Sequence, residues 1–517
     1  MKLDIPELSL VALVGISGSG KSTFARRHFL PTEVLSSDAF RGMVADDEND
    51  QSASDDAFAA LHYVAGLRLR AGRRVVVDAT NLQQFARAEL VKIAKQYDVL
   101  PVAIVLDTPE SVAWERTHAR QDRDFGRRVL QRQSRDLRRS VSRLGREGFR
   151  KVHVVTDPDD VTIGYEKAWN DKRELTGPFD IIGDVHGCRS ELDTLLTELG
   201  YTLRRDVAGR PVDASHPDGR QAVFVGDLVD RGPDSPGVLR LVMGMVAAGN
   251  ALCVPGNHEQ KLLRKLRGRN VKLTHGLAET LEQLSAEPPG FAEQVASWID
   301  GLVSHYRLDG GRLVVAHAGL KEEYQGRASG RVRSFCLYGE TTGETDEYGL
   351  PVRYPWANDY RGSAMVVYGH TPTPKPEWIN NTICLDTGCV FGGELTALRY
   401  PERALVSVPA ERMHYQPVKP LAPPDRDQAG VLKLADVTGR RHLRTDYGTV
   451  LVEAENAAAA LEVMSRYAVD PRYLLWLPPT MSPPSTSGRE GYLEHPTEAF
   501  ADYRGFGIDR VICEEKH

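Results

Sequence analysis

The sequence is poor in cysteine. Six cysteines in 517 residues are scattered, and none forms a CxxC pair. That spacing argues against a disulfide framework or a zinc ribbon and for a reducing, cytoplasmic compartment. Long apolar runs are missing too. No window holds 18 apolar residues, so no membrane span is expected. The stretch at residues 8–16 is apolar but runs straight into a glycine-rich loop. An excess of positive charge is also absent. Lys plus Arg is 65 against 71 Asp plus Glu, a net charge of −6, so the whole chain is no basic nucleic-acid coat. There is no internal repeat. What is present is an ordinary globular composition, 41% apolar and 26% charged, in a chain long enough for several domains.

Strands alternating with helices organise the first part. Val11–Val14, Val34–Ser37, Arg74–Val77, Val102–Leu106 and Lys151–Val155 read as strands, and residues 54–70 and 83–96 as helices. This pattern predicts a parallel sheet covered on both faces over residues 1–170. Residues 171–177 are polar and turn-forming, and a boundary is expected there. A second α/β pattern spans 178–415, interrupted by a helical, mixed-charge stretch at 259–300. Residues 416–430 are rich in Pro and charge and read as a linker. Residues 431–517 hold a strand at Thr449–Val452, an Ala-rich helix at 456–467 and a Pro/Ser/Thr stretch.

Gly15-Ile16-Ser17-Gly18-Ser19-Gly20-Lys21-Ser22-Thr23 lies between a strand and a helix, the context a phosphate loop requires. Backbone N–H groups of Gly15, Ser17, Gly18, Ser19 and Gly20 can wrap phosphates. Lys21 reaches the β/γ phosphates of ATP or another NTP, and Ser22 ligates Mg²⁺. Asp38 can accept the proton of an attacking hydroxyl, and Arg41 can hold an anionic acceptor. Asp78 ends a strand as either an outer Mg²⁺ group or a helix N-cap. Arg116, Arg120 and Arg123 share a helical face and read as a lid over the nucleotide. From 116 to 151 there are 13 Lys/Arg against four Asp/Glu. The downstream part of that run faces either solvent or nucleic-acid phosphate.

Five further blocks each follow an apolar strand: Gly183-Asp184-Val185-His186-Gly187, Gly226-Asp227-Leu228-Val229-Asp230-Arg231-Gly232, Gly256-Asn257-His258-Glu259, His317-Ala318-Gly319 and Gly369-His370-Thr371. Carboxylate, imidazole and amide ligands are thus delivered from strand ends, as a dinuclear centre requires. Such donors suit Mn²⁺, Fe or Zn, with Mn²⁺ favoured because no cysteine is needed. Asp386, in CLDTG, is either near this centre or an ordinary turn residue.

The set resembles the calcineurin-like metallophosphoesterase superfamily. The resemblance implies an α/β sandwich with two metals. One is held by Asp184, His186 and Asp227; the other is held by Asn257, His317 and His370, with Asp227 bridging. It further implies that His258 is the general acid and that Arg231 grips phosphate oxygens. At the C-terminus, Glu514-Glu515-Lys516-His517 follows a strand at Val511–Cys513 and is similar to the start of the ligase superfamily's KxxG signature. Taken in order, the three regions resemble the bacterial polynucleotide kinase-phosphatases, an RNA-repair family. That implies a P-loop phosphotransferase domain, a metallophosphoesterase domain and a partial nucleotidyltransferase (ligase) segment. The implied activities are 5′-OH phosphorylation of RNA ends with NTP and Mg²⁺, and removal of 3′-phosphate or 2′,3′-cyclic phosphate with Mn²⁺ or Ni²⁺. Lys516 would be the adenylylated lysine, a 3′-terminal 2′-O-methyltransferase the partner, and a kinase-domain homodimer the assembly. The later ligase motifs are absent, so sealing by these residues is expected to fail. Two other readings remain open. The phosphoesterase blocks also look like dinucleoside-tetraphosphate hydrolases and protein phosphatases, and a non-catalytic scaffold docking an RNA-modifying partner would keep the fold without the chemistry.

Overall fold

The structure, a computed structural model, describes residues 1–119, 126–346, 349–418, 441–445, 448–465, 486–493, 495–508 and 510. By contact it divides into two units, one of residues 1–341 and 353–421 and one of residues 342–352 and 422–517.

The first unit opens with a five-stranded, wholly parallel sheet. Its strands run in the order Val34–Ser36, Val75–Asp78, Ser9–Val14, Leu100–Leu106, Lys151–Val155. Ser9–Val14 is central and buried along its whole length. Successive side chains of a strand point to opposite faces. Leu10, Ala12 and Val14 accordingly pack in one core with the helix Ser54–Arg70 (through Leu61, Ala65 and Leu69) and the helix Gln84–Gln96 (through Leu90, Val91 and Ala94). Val11 and Leu13 pack on the other face with Phe24 and Phe29. The expected strands and helices are present with ends shifted by two residues at most. One pairing was not expected: Lys2–Pro6 runs parallel to Thr162–Glu166.

A sandwich follows. One sheet has the order Ala251–Cys253, Gln221–Phe224, Phe179–Ile182, Glu394–Tyr400, Ala404–Pro409. The other runs Trp378–Ile379, Thr382–Cys384, Met365–Tyr368, Leu313–Ala316, His305–Leu308, Asp171–Lys172. Phe179, Ile181, Val223 and Leu398 of the first sheet meet Leu313, Val315, Val367 and Ile383 of the second in a shared core. Helices cover the first sheet's outer face through Leu192, Leu196, Val238 and Val242. Residues 171–177, read as turn, contain the edge strand Asp171–Lys172, which pairs in parallel with Arg307–Leu308. A two-residue strand is too short to leave a periodic pattern.

The two α/β parts touch through a buried arginine. Arg327, 7% exposed, donates Nη2 hydrogen bonds to the carbonyls of Leu69 and Arg70, each at 3.0 Å, and an Nη1 bond to Tyr97 O. These carbonyls lie at the C-terminal ends of two helices of the first sheet, where unpaired acceptors and negative partial charge collect. Beside it, Ser329 Oγ donates to Asp98 Oδ1 at 2.7 Å, and Arg331 pairs with the same carboxylate.

The second unit contains the antiparallel hairpin Arg441–Thr445 with Gly448–Val452, the helix Ala454–Ser465 and the helix Pro496–Gly505. The expected strand and Ala-rich helix are among these. Val511–Cys513 and Lys516 lie outside the described residues. Among the described residues, no helix is long and apolar enough to cross a membrane.

Candidate functional site

The glycine-rich loop turns between the central strand and the helix Lys21–His28. Gly18 and Gly20 adopt φ of 76° and 92°, a region that L side chains rarely visit. At Gly18 a side chain would also collide with the Ala113 carbonyl. Lys21 is buried and donates from Nζ to Gly15 O at 3.0 Å and Ile16 O at 2.8 Å, so its ammonium is held over the loop. A cleft of about 650 Å³ opens there. Ser17, Gly18, Gly20, Lys21, Ser22 and Thr23 are among the residues that line it, together with Asp38, Arg41, Asp78, Arg116 and Gln133.

Asp38 and Arg41 sit one turn apart on the helix Ser37–Ala45 and form an ion pair, with Arg41 Nε also donating to Glu48 O at 2.8 Å. Burial pushes the Asp78 carboxyl upward, opposed by the Ser22 hydroxyl and the Lys21 charge beside it. Asp78 thus stands against the two residues expected at phosphate and Mg²⁺. Arg116 Nη1 comes within 3.3 Å of where a Cβ on Gly20 would lie. Arg120 and Arg123 lie outside the described residues. Gln133 had no sequence signal. Its Oε1 accepts from Ser17 N at 2.8 Å, so the basic helix Arg127–Val141 is docked on the phosphate loop rather than wholly in solvent.

The second centre forms where strands of both sheets end. Two trios of ligand atoms converge, each within 4.8 Å: His186, Asp227 and His258, and Asp227, His317 and His370. Asp227 belongs to both. Its Oδ2 lies 3.6 Å from His186 Nε2 and 3.4 Å from His317 Nε2. Asn257 Oδ1 is 3.1 Å from His317 Nε2. Asp184 Oδ2 accepts from His370 N at 2.9 Å, while its buried Oδ1 has no hydrogen-bond partner among the described residues, nor has His370 Nε2. Arg231 Nη1 donates to His186 Nε2 at 2.8 Å.

These atoms fit metal ions. His186 Nδ1 donates to Val229 O at 2.8 Å and His317 Nδ1 to Val225 O at 3.1 Å, so each Nε2 is unprotonated. His317 Nε2 therefore turns a lone pair toward Asn257 Oδ1 and Asp227 Oδ2. Lone pairs gathered in this way are stabilised by a cation between them. Burial raises Asp184 and Asp227 well above the usual carboxylate range, with neighbouring carboxylates adding to it. Burial and the Arg231 charge hold His186 and His258 well below the ordinary imidazole value. Asp386, pushed up to about 6 by burial, raises Asp184 through its charge. It therefore belongs to the centre rather than to a distant turn.

Local backbone geometry aims these groups. His186, Asp227, Asp230, Arg231 and His370 all have φ between 45° and 73°. Non-glycine residues in that region store strain and cluster at functional sites. A side chain on Gly256 would overlap the Asp227 carboxylate, and one on Gly369 the Asp184 carboxylate. Two supporting residues had no assigned role. Glu259 accepts from the N–H groups of Gly256, Asp227, Leu228 and Val229, locking two ligand loops together. Asp230 accepts from His258 Nδ1 at 2.6 Å and from Thr280 Oγ1 at 2.7 Å.

Fold and centres define a chain joining a P-loop kinase-like domain to a binuclear-type metallophosphoesterase. Family models match in the same order: AAA domain at 10–175, calcineurin-like phosphoesterase at 177–401, and PNKP adenylyltransferase domain, ligase domain at 459–517. The bis(5′-nucleosyl)-tetraphosphatase PrpE of Geobacillus thermodenitrificans (strain NG80-2) is 49% identical over 239 residues, 46% of this chain and 95% of that protein. PrpE of Bacillus subtilis (strain 168) is 48% identical over 236 residues, 45% and 94%. The APS kinase CysC of Mycobacterium tuberculosis, solved with AMPPNP and APS, is 27% identical over 22% of this chain and 69% of that one, with a TM-score of 0.19. The chain belongs to the calcineurin-like phosphoesterase family, and its three matched segments are the domain architecture of the bacterial polynucleotide kinase-phosphatases.

Proposed function

We propose that the chain heals RNA ends in the cytoplasm, phosphorylating a 5′-OH and removing a 3′-phosphate or 2′,3′-cyclic phosphate. The observation that carries this is the PNKP ligase segment on the same chain as a kinase and a phosphoesterase. In the kinase, Lys21 and the loop amides would receive the β/γ phosphates of ATP or another NTP, and Ser22, with Asp78 behind it, would hold Mg²⁺. Asp38 takes the proton of the attacking 5′-OH, Arg41 grips the acceptor phosphate, and Arg116 stabilises the transferring charge. Arg120 and Arg123 complete the lid. From the same family resemblance the reading takes Lys516 as the adenylyl acceptor, a kinase-domain homodimer, and a 3′-terminal 2′-O-methyltransferase as partner.

In the phosphatase, Asp184, His186 and Asp227 would hold one metal, and Asp227, Asn257, His317 and His370 the other, with Asp386 beside Asp184. Manganese or nickel there would polarise the phosphoryl group and acidify a bound water. Arg231 orients phosphate oxygens. His258, held by Asp230 through Nδ1, is the general acid in this reading; its Nε2 must first take up a proton, which the negative charge of a bound phosphoryl group favours, before passing it to the leaving oxygen.

The test is transfer of labelled γ-phosphate from ATP to a 5′-OH oligoribonucleotide by the full chain. Transfer lost in Asp38→Asn supports the reading, and no transfer by the intact chain overturns it. The PrpE likeness favours a second reading for the phosphatase alone, hydrolysis of dinucleoside polyphosphates. Diadenosine tetraphosphate cleaved far faster than a 3′-phosphate or cyclic phosphate would select it.

A further inference from the structure

A second donor cluster lies beside the phosphatase centre and shares no ligand atom with it. Cys188, Glu191 and Cys389 bring two sulfurs and a carboxylate oxygen within 4.8 Å of one another. Cys188 is 0% exposed, and Glu191 and Cys389 are each 2% exposed. His414 stands outside that trio and holds its carboxylate, with Nε2 2.9 Å from Glu191 Oε1. Glu191 Oε1 is also bonded by Glu411 N at 3.1 Å, but Glu191 Oε2 is buried with no hydrogen-bond partner among the described residues. An unsatisfied carboxylate oxygen beside two thiols is costly in an apolar core unless a cation takes it.

We infer that Cys188, Cys389 and Glu191, with His414 holding Glu191 in place, form a thiolate-rich structural site for one zinc-class divalent ion. Two thiolate sulfurs and a carboxylate oxygen are donors of the kind zinc takes, and a water molecule would fill the fourth tetrahedral position. Bonds of about 2.0–2.3 Å to a central ion place neighbouring donors less than about 4 Å apart, inside the observed spread. On binding, each thiol releases its proton to solvent, and the two thiolates balance the ion's charge. The site would tie three segments together. Cys188 follows His186 and heads the helix Arg189–Glu198, Cys389 follows Asp386, and His414 is anchored by its N–H to Val390 O at 3.0 Å. The ion would therefore clamp the loops that carry two groups of the phosphatase centre. Sequence spacing hides the site, because its cysteines stand far apart in the chain with no CxxC.

Cobalt(II) tests it, because only sulfur ligands give a near-ultraviolet thiolate-to-cobalt charge-transfer band, and the phosphatase centre has none. The full chain, stripped with chelator and reloaded with cobalt, should show that band and bind one equivalent beyond the phosphatase metals. Asp227→Asn should lose phosphatase metal but keep the band. Cys389→Ser should lose the band and that single equivalent while retaining phosphatase turnover within a few-fold. A reloaded wild-type chain that is active with cobalt yet has no thiolate band overturns the proposal, whether or not Cys389→Ser folds. A band that persists in both Cys389→Ser and Cys188→Ser overturns it as well.

Discussion

The two centres solve the same problem, holding a phosphoryl group, by opposite means. The kinase cleft, an open cavity of about 650 Å³, takes its phosphate-loop lining from one contiguous stretch, residues 17–23, and the remainder from side chains scattered along the domain. The phosphatase centre is built from side chains that arrive from six separate segments and are buried among one another. Backbone amides are uncharged, so the cleft can stand open to water at little cost. Clustered carboxylates and imidazoles cannot, and burial displaces their protonation equilibria in the direction that cations between them would reverse. A local loop can be recognised from its own residues. A convergent centre depends on every part of the scaffold that aims it.

Substitutions should separate the two, beginning with the largest effect. Asp227→Asn removes a ligand common to both trios, and phosphatase turnover should fall on the order of 10³- to 10⁴-fold, since metals supply several kcal/mol of charge stabilisation. Labelled transfer to a 5′-OH should continue in that variant, and a parallel loss of kinase would mean the centres are not independent. Asp38→Asn should do the reverse, lowering kinase turnover on the order of 10²- to 10³-fold with phosphatase kinetics intact. Gly256→Ala presses a methyl into the Asp227 carboxylate and should cost roughly 10- to 100-fold in phosphatase kcat alone.

Two smaller effects probe what the parts share. Arg327→Ala strips donors from the carbonyls of Leu69, Arg70 and Tyr97 and should lower stability by about 1–3 kcal/mol. Denaturant unfolding with limited proteolysis between the two α/β parts measures it, and an unchanged midpoint would remove Arg327 as a clamp. His305 is fully buried, accepts from Gly326 N at 3.2 Å, and is held down to about 3 by burial. The unfolded chain, with an ordinary imidazole near 6.5, binds the proton first. Its contribution is thus whole above about pH 6.5 and is lost as pH falls toward 3. His305→Gln should flatten stability across that window; an unchanged slope would show that other groups set it.

Much of both centres was legible in the residues, for different reasons. The phosphate loop is contiguous, and its glycines announce the left-handed turns observed at Gly18 and Gly20. The phosphatase blocks were legible because each ligand follows an apolar strand, and strand ends are where parallel sheets deliver side chains. The strand Asp171–Lys172, the Gln133 contact to the loop and the Arg327 clamp were not legible. Each is a single residue or a pair whose partner is remote in sequence, and no local periodicity records such a partner. Asp78 and Asp386 fall between these cases. Their strand-end positions were visible, but whether they faced a site depended on neighbours from other segments.

The amino-acid sequence alone pointed to a kinase-like domain and a phosphoesterase, because backbone conformation and side-chain type are local properties. It named a loop for phosphate and a set of hard donors for metal. Tertiary structure decided which donors meet. It made Asp227 common to two trios, set Asp386 against Asp184, and brought Cys188, Glu191 and Cys389 into one buried cluster with His414 bonded to Glu191. Convergence of that kind comes from packing two sheets on a shared apolar core, and the energy of that packing, not any local motif, holds such charged groups together.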